Sequence, residues 1–197
     1  DQAVSAIHEM LISHYGNPSS LHTLGFEAEQ QMSQARRAIA DQLGVKTQEI
    51  IFTSGGTEAN NIALFGAVQA KRRRGGRIVT TQIEHPAVSK VMEQLQKQGW
   101  EIISLKPDSF GHILPHQLFE AVTPDTILVS LMAVNNEVGT ILPVEAAAAA
   151  IARTKAPALL HVDAVQAFGK IPLHPQRLKV DLMTISAHKI HGPKGVG

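Results

Sequence analysis

The chain has 197 residues, 18 basic and 17 acidic side chains, a formal net charge of +1 and no cysteine. That length holds one good-sized core, the balanced charge gives no footing for nucleic acid or a membrane surface, and no apolar run approaches the ~20 residues of a membrane span. The missing cysteine removes disulfides, thiolate metal sites and a cysteine nucleophile from these residues. The opening DQAVSAIHEM lacks the basic-then-apolar order of a signal peptide, so a cytoplasmic setting is expected.

In chain order, AVSAIHEMLISHY reads as a helix and GNPSS as a turn. In LGFEAEQQMSQARRAIADQLG, helical spacing puts Phe26, Met32, Ala35, Ile39 and Leu43 on one side, and Gly44 ends the run. EIIFTS reads as a short strand and TEANNIALFGAVQAKRR as a helix. RIVTTQ is a strand, followed by a helix that opens at Pro86 and stops at Gly99. WEIISLK is a strand, HQLFEAV a short helix after Pro115, and DTILVSLMAV a strand. The alanine-rich VEAAAAAIARTK is a helix, because alanine is the best helix former. PALLHVDAV and VDLMTIS are strands. This β-then-α rhythm predicts an α/β fold with a mainly parallel sheet covered by helices. The basic RRRGGR stretch ends a helix, where positive side chains suit the dipole and the solvent.

Ligands of such sheets collect at the carboxyl ends of the strands, so the residues found there matter most. After EIIFTS, two glycines and Thr57 open a helix whose free N–H groups suit an anion. A helix cap is the plainer alternative. No P-loop is formed, because Glu58 follows Thr57 where a nucleotide-binding lysine would be needed. After RIVTTQ comes His85, a cap, a core residue or a site residue. After the next apolar strand come Asn135, Asn136 and Glu137, a turn or a polar site. Asp163 ends PALLHVD, with Gln166 three residues on, and is either a cap or the partner of a buried cation. Lys189 follows DLMTIS. An exposed loop lysine is the ordinary reading, whereas a buried one would lose its proton more readily and act as a nucleophile towards a carbonyl. Together, an anion site, a histidine, an acid, an amide and a lysine at strand ends make the set that pyridoxal phosphate needs.

The motifs GNPSSLHTLG, FTSGGTEANN, EHPAV, VNNEVGT, HVDAVQAFGK and SAHKIHGPKG occur in that order over essentially the whole chain. With them the sequence resembles the pyridoxal-phosphate-dependent cysteine desulfurases of the NifS and IscS kind. The resemblance implies the three-layer α/β large domain of fold type I, spanning residues 1–197 and incomplete at both ends, with a small C-terminal domain beyond, in a homodimer. It implies that Lys189 links covalently to the cofactor and serves as the base. Asp163 would pair with the ring nitrogen, Gln166 with the ring hydroxyl oxygen, and His85 would stack on the ring and help in proton transfer. Gly56, Thr57, Ser186 and His188 would hold the phosphate. Asn136, favoured over Asn135, would face the substrate carboxylate and the cofactor. Asn17 and His22 would lie near the site without a chemical role. The implied reaction takes L-cysteine to alanine, leaving an enzyme persulfide whose sulfur passes to an iron–sulfur scaffold or a tRNA-thiolation protein. The persulfide cysteine would lie well beyond Lys189, outside these residues. Selenocysteine lyase, cysteine sulfinate desulfinase and an aminotransferase of the same fold stay open as alternatives.

Overall fold

The apolar runs after residue 76 line up side by side. In the computed structural model, which describes residues 2–197 and so leaves Asp1 of the expected domain outside, they form one five-stranded sheet. Its strands are β1 (Arg77–Thr81), β2 (Glu101–Leu105), β3 (Thr126–Met132), β4 (Leu159–Asp163) and β5 (Leu182–Thr184), in the order β2-β1-β3-β4-β5. Every pairing is parallel. Parallel strands need long crossovers, which the intervening helices supply.

Among the described residues seven helices accompany the sheet: α1 (Gln2–Ser13), α2 (Thr23–Leu43), α3 (Gly56–Lys71), α4 (Pro86–Lys97), α5 (Pro115–Ala121), α6 (Val144–Thr154) and a single turn, α7 (Pro175–Leu178). Successive strand residues point to opposite faces, so each β1 neighbour joins a different core. Ile78 packs with Leu64, Val68, Val88, Val91 and Leu95 of α3 and α4. Val79 packs with Leu118 of α5 and with Val144, Ala147 and Ala150 of α6. Both faces are thus covered, and β3 is buried along its whole length, which is why its sequence is apolar without alternation. The small side chains of the alanine run let α6 lie close on the sheet. This is the three-layer α/β architecture expected from the sequence.

Two expectations do not hold. EIIFTS forms no strand. Glu49 closes a 3₁₀ turn, the Ile50 carbonyl accepts from Arg36, and the one strand-like pairing of the segment is at Thr53, which exchanges two backbone hydrogen bonds with Gly197, at 2.7 and 2.9 Å. One such pair makes no ladder, however high the β propensity of Ile50, Ile51 and Phe52. The apolar side expected on α2 is buried only at its C-terminal end, through Leu43 with Ile39 half-buried, while Phe26 and Met32 are exposed at 59% and 39%. In the first half of α2 only the small Gly25 and Ala28 are buried, and α1 buries no residue at all. No helix among the described residues is long and apolar enough to cross a membrane.

Candidate active site

The strand order reverses between β1 and β3: the chain leaves β1 through α4 to one side, then returns through α5 to start β3 on the other. A crevice opens at such a switch point, outside the carboxyl ends of the strands. Here it is a cavity of about 240 Å³. Gly56, Thr57, His85, Asn136, Asp163, Gln166, Ser186, His188 and Lys189, the nine residues expected to hold the cofactor or act beside it, line it together with Asn60, Ala87, Met132, Val134 and Val165. The register explains the convergence, since Met132 pairs with Asp163 and Asp163 with Thr184, so β3, β4 and β5 end level.

Each wall follows from local structure. α3 begins at Gly56 after Gly55, whose φ of 150° suits glycine, and no side chain caps it. Its first N–H groups are left for an external acceptor. A side chain on Gly56 would crowd Val165, whose Cγ2 would lie 3.1 Å from the added Cβ. Glu58 turns away and binds the Ser54 N–H and hydroxyl at 2.6 and 2.7 Å; these bonds hold its carboxyl below the usual range. Across from this helix start, Ser186 Oγ lies 2.9 Å from His188 Nδ1.

Asp163 is 5% exposed at the end of β4. Its Oδ1 accepts from the Val165 N–H at 3.0 Å, and its Oδ2 from Asn60 Nδ2 at 2.8 Å. Both oxygens keep lone pairs for a cation above them. His85 caps α4, its Nδ1 accepting from the Ala87 N–H at 3.1 Å, with Pro86 at the first helical position. Gln166 Oε1 accepts from Lys170 at 3.1 Å, which leaves its amide N–H groups to donate.

Lys189 does not end a buried strand. It lies on a single 3₁₀ turn, Ala187–Lys189, and is exposed at the cavity rim, where its amine makes no hydrogen bond or ion pair among the described residues. The short β5 stops at Thr184, and the turn carries the lysine over the opening. Of the two asparagines, Asn136 borders the cavity. Asn135 is buried and holds the turn, its Oδ1 accepting from the Glu137 and Val138 N–H groups. Asn17 and His22 lie outside the cavity lining. Asn17 accepts from the Ser19 N–H and His22 caps α2.

Two buried polar residues, Asn60 in the cavity lining and Glu84 behind it, were not singled out in the sequence. Asn60 lies one helical turn after Thr57, and that spacing was the available signal. It is 1% exposed, and its Oδ1 has no partner among the described residues. Glu84, immediately before His85, is also buried. Burial pushes its carboxyl up to about 8, opposed by hydrogen bonds from Thr81 and the Met132 N–H and assisted by the charge of Asp163. Chemically, the cavity offers an anion-binding end, an acid on its floor and a free amine at its rim.

Comparison with known proteins agrees with this geometry. The sequence profile of the class-V aminotransferases matches residues 1–197, and the chain belongs to that family, whose members work with pyridoxal phosphate. It is 45% identical over 193 residues to a protein of Bacillus subtilis (strain 168) named putative cysteine desulfurase IscS 1, covering 96% of this chain and 50% of that one. A solved structure described as a NifS-like protein superposes with a TM-score of 0.96 at 43% identity, over 100% of this chain and 54% of its own. Another, SspA in complex with cysteine, gives a TM-score of 0.94 at 32% identity, over 100% of this chain and 56% of its own. The chain spans about half the length of the curated relatives it matches.

Proposed function

We propose that residues 1–197 are the cofactor-binding domain of a pyridoxal-phosphate-dependent cysteine desulfurase. The observation that carries this reading is one cavity, lined from five separate segments, that brings together an uncapped helix start, a buried aspartate and an unpaired lysine. The chemistry of these groups fits the cofactor: the α3 N-terminus with Thr57, Ser186 and His188 suits a phosphate, Asp163 a protonated ring nitrogen, and Lys189 an aldehyde. Gln166, with its amide N–H groups free, would donate to the ring hydroxyl oxygen, and His85 would lie against the ring.

When bound, pyridoxal phosphate supplies an electron sink for bond changes at the substrate's α-carbon. The protein's own groups do the rest. Asp163 holds the proton of the ring nitrogen, with Asn60 fixing its Oδ2. Lys189 would hold the cofactor, and its amine would take the proton from the substrate's α-carbon. Asn136 orients the substrate carboxylate, and His85 moves a proton near the leaving sulfur. The thiol that accepts sulfur is not among these residues, which include no cysteine.

The same reading takes L-cysteine as substrate, supported by the relative solved with cysteine. It passes the sulfur to an acceptor protein for iron–sulfur assembly or tRNA thiolation, in the cytoplasm. It pairs the chain as a homodimer, supported by the exposed apolar side chains Val4, Leu11 and Phe26 of α1 and α2. The test is borohydride reduction with pyridoxal phosphate, then peptide mass mapping. A pyridoxyl group on Lys189, lost in Lys189→Ala, is the expected result. Label spread over surface lysines would refute the reading.

A further inference from the structure

Glu84 is the buried carboxyl beside the cavity that none of these roles employs. Its place follows from how the strands end. β1 stops at Thr81, while β3 runs on to Met132. The Ala133 N–H points to β4 and binds the Asp163 carbonyl at 2.9 Å. The Met132 N–H, one residue earlier, therefore points to the β1 side, past the end of that strand. Glu84 Oε1 accepts it there at 3.1 Å and accepts the Thr81 hydroxyl at 2.6 Å. The side chain thus extends the β1–β3 ladder by one rung. Beside it, Asn135 Nδ2 donates to the Ile83 carbonyl at 3.1 Å. These contacts clamp the loop before α4 against the end of β3, and the next residue in that loop is His85.

We propose that Glu84 is a positioning residue for His85: its uncharged carboxyl pins the His85 loop to β3 and leaves Asp163 as the single anion under the cavity. Only the part concerning Asp163 and the cofactor rests on the function proposed above. Both hydrogen bonds go to Oε1, whereas Oε2 is buried without a partner among the described residues. A charge on Oε2 would be buried with no donor to satisfy it, which costs more than leaving a neutral carboxyl unpaired. Burial, which pushes the group up to about 8, acts in the same direction. β1 and β3 present it with a hydroxyl and a backbone N–H, and the charged group acting on it is Asp163 of β4. Above that point a second negative charge sits beside Asp163, water must enter to solvate Oε2, and the loop carrying His85 shifts.

The test is NMR of the histidine rings in this chain from about pH 6 to about pH 9.5, with the His85 signal identified by its loss in His85→Gln. Wild type should show an inflection at His85 near pH 8 that Glu84→Gln, of the same shape and permanently neutral, lacks. Pyridoxal phosphate affinity of wild type should then fall about tenfold relative to Glu84→Gln above that pH. Superimposable His85 curves in the two proteins overturn the proposal. If Glu84→Gln does not fold, the infrared carbonyl stretch of a protonated carboxyl in wild type decides: its absence at neutral pH overturns the proposal, and its presence with loss in alkali supports it. An inflection at His85 in a protein that binds no pyridoxal phosphate supports the positioning role and refutes the cofactor reading alone.

Discussion

His161, in the middle of β4, makes a sharp test of the sheet. It is 0% exposed. Its Nδ1 lies 2.9 Å from Ser130 Oγ on β3, and its Nε2 lies 3.2 Å from Thr184 Oγ1 on β5. The two hydroxyls satisfy a neutral ring, one donating and one accepting, and burial pushes the imidazole from its ordinary 6.5 down to about 3. In the unfolded chain the ring takes a proton readily, whereas in the fold it does not. Its contribution is therefore present above pH 6.5 and is lost as pH falls from there through about 3. At about 1.4 kcal/mol per pH unit, the whole span is worth about 5 kcal/mol, of which about 2 kcal/mol is lost between pH 7 and pH 5. His161→Gln keeps a donor and an acceptor but cannot titrate. Urea unfolding of both proteins across this range isolates the effect, since all other groups cancel in the difference. The variant should gain about 2 kcal/mol on wild type between pH 7 and pH 5. A gap that does not change with pH would refute the neutral, dry histidine.

Two further outcomes follow from packing and from the cavity floor. Leu160, 0% exposed between the two helix layers, should cost about 2–5 kcal/mol when cut to alanine, read from the urea midpoint at unchanged slope. Asn60→Ala removes the donor to Asp163 Oδ2. A hydrogen bond to a charged group is worth roughly 1.5–3 kcal/mol, so pyridoxal phosphate binding should weaken by about one to two orders of magnitude in a fluorescence titration. Unchanged affinity would mean that Asp163 needs no such support.

Much of the site was legible because strand ends are where polar residues break the apolar pattern. Gly56 and Thr57 follow one extended run, His85 and Lys189 come after strands and Asp163 ends one, so every one announced itself by contrast. Asn60 and Glu84 did not. An asparagine inside a polar-looking helix start and a glutamate in a loop are ordinary on a surface, and only the tertiary fold shows that both are buried against Asp163 or Met132. Of the neighbouring asparagines the sequence favoured Asn136, and it is Asn136 that borders the cavity while Asn135 holds the turn. EIIFTS failed for a related reason, because propensity describes a segment and pairing requires a partner. The α2 face misled because amphipathicity reports that an apolar side exists, not that anything in these residues covers it.

The cavity walls come from positions as far apart as Thr57 and Lys189, joined only where β1, β3, β4 and β5 stand side by side. Such contacts close large loops and form late in folding. The aspartate and the lysine share an edge only once β4 and β5 have paired, whereas β2 borders no part of the cavity. A ligand held there adds RT ln(1 + [L]/Kd) to the stability of the fold, and its binding becomes a readout of whether that half of the sheet has formed.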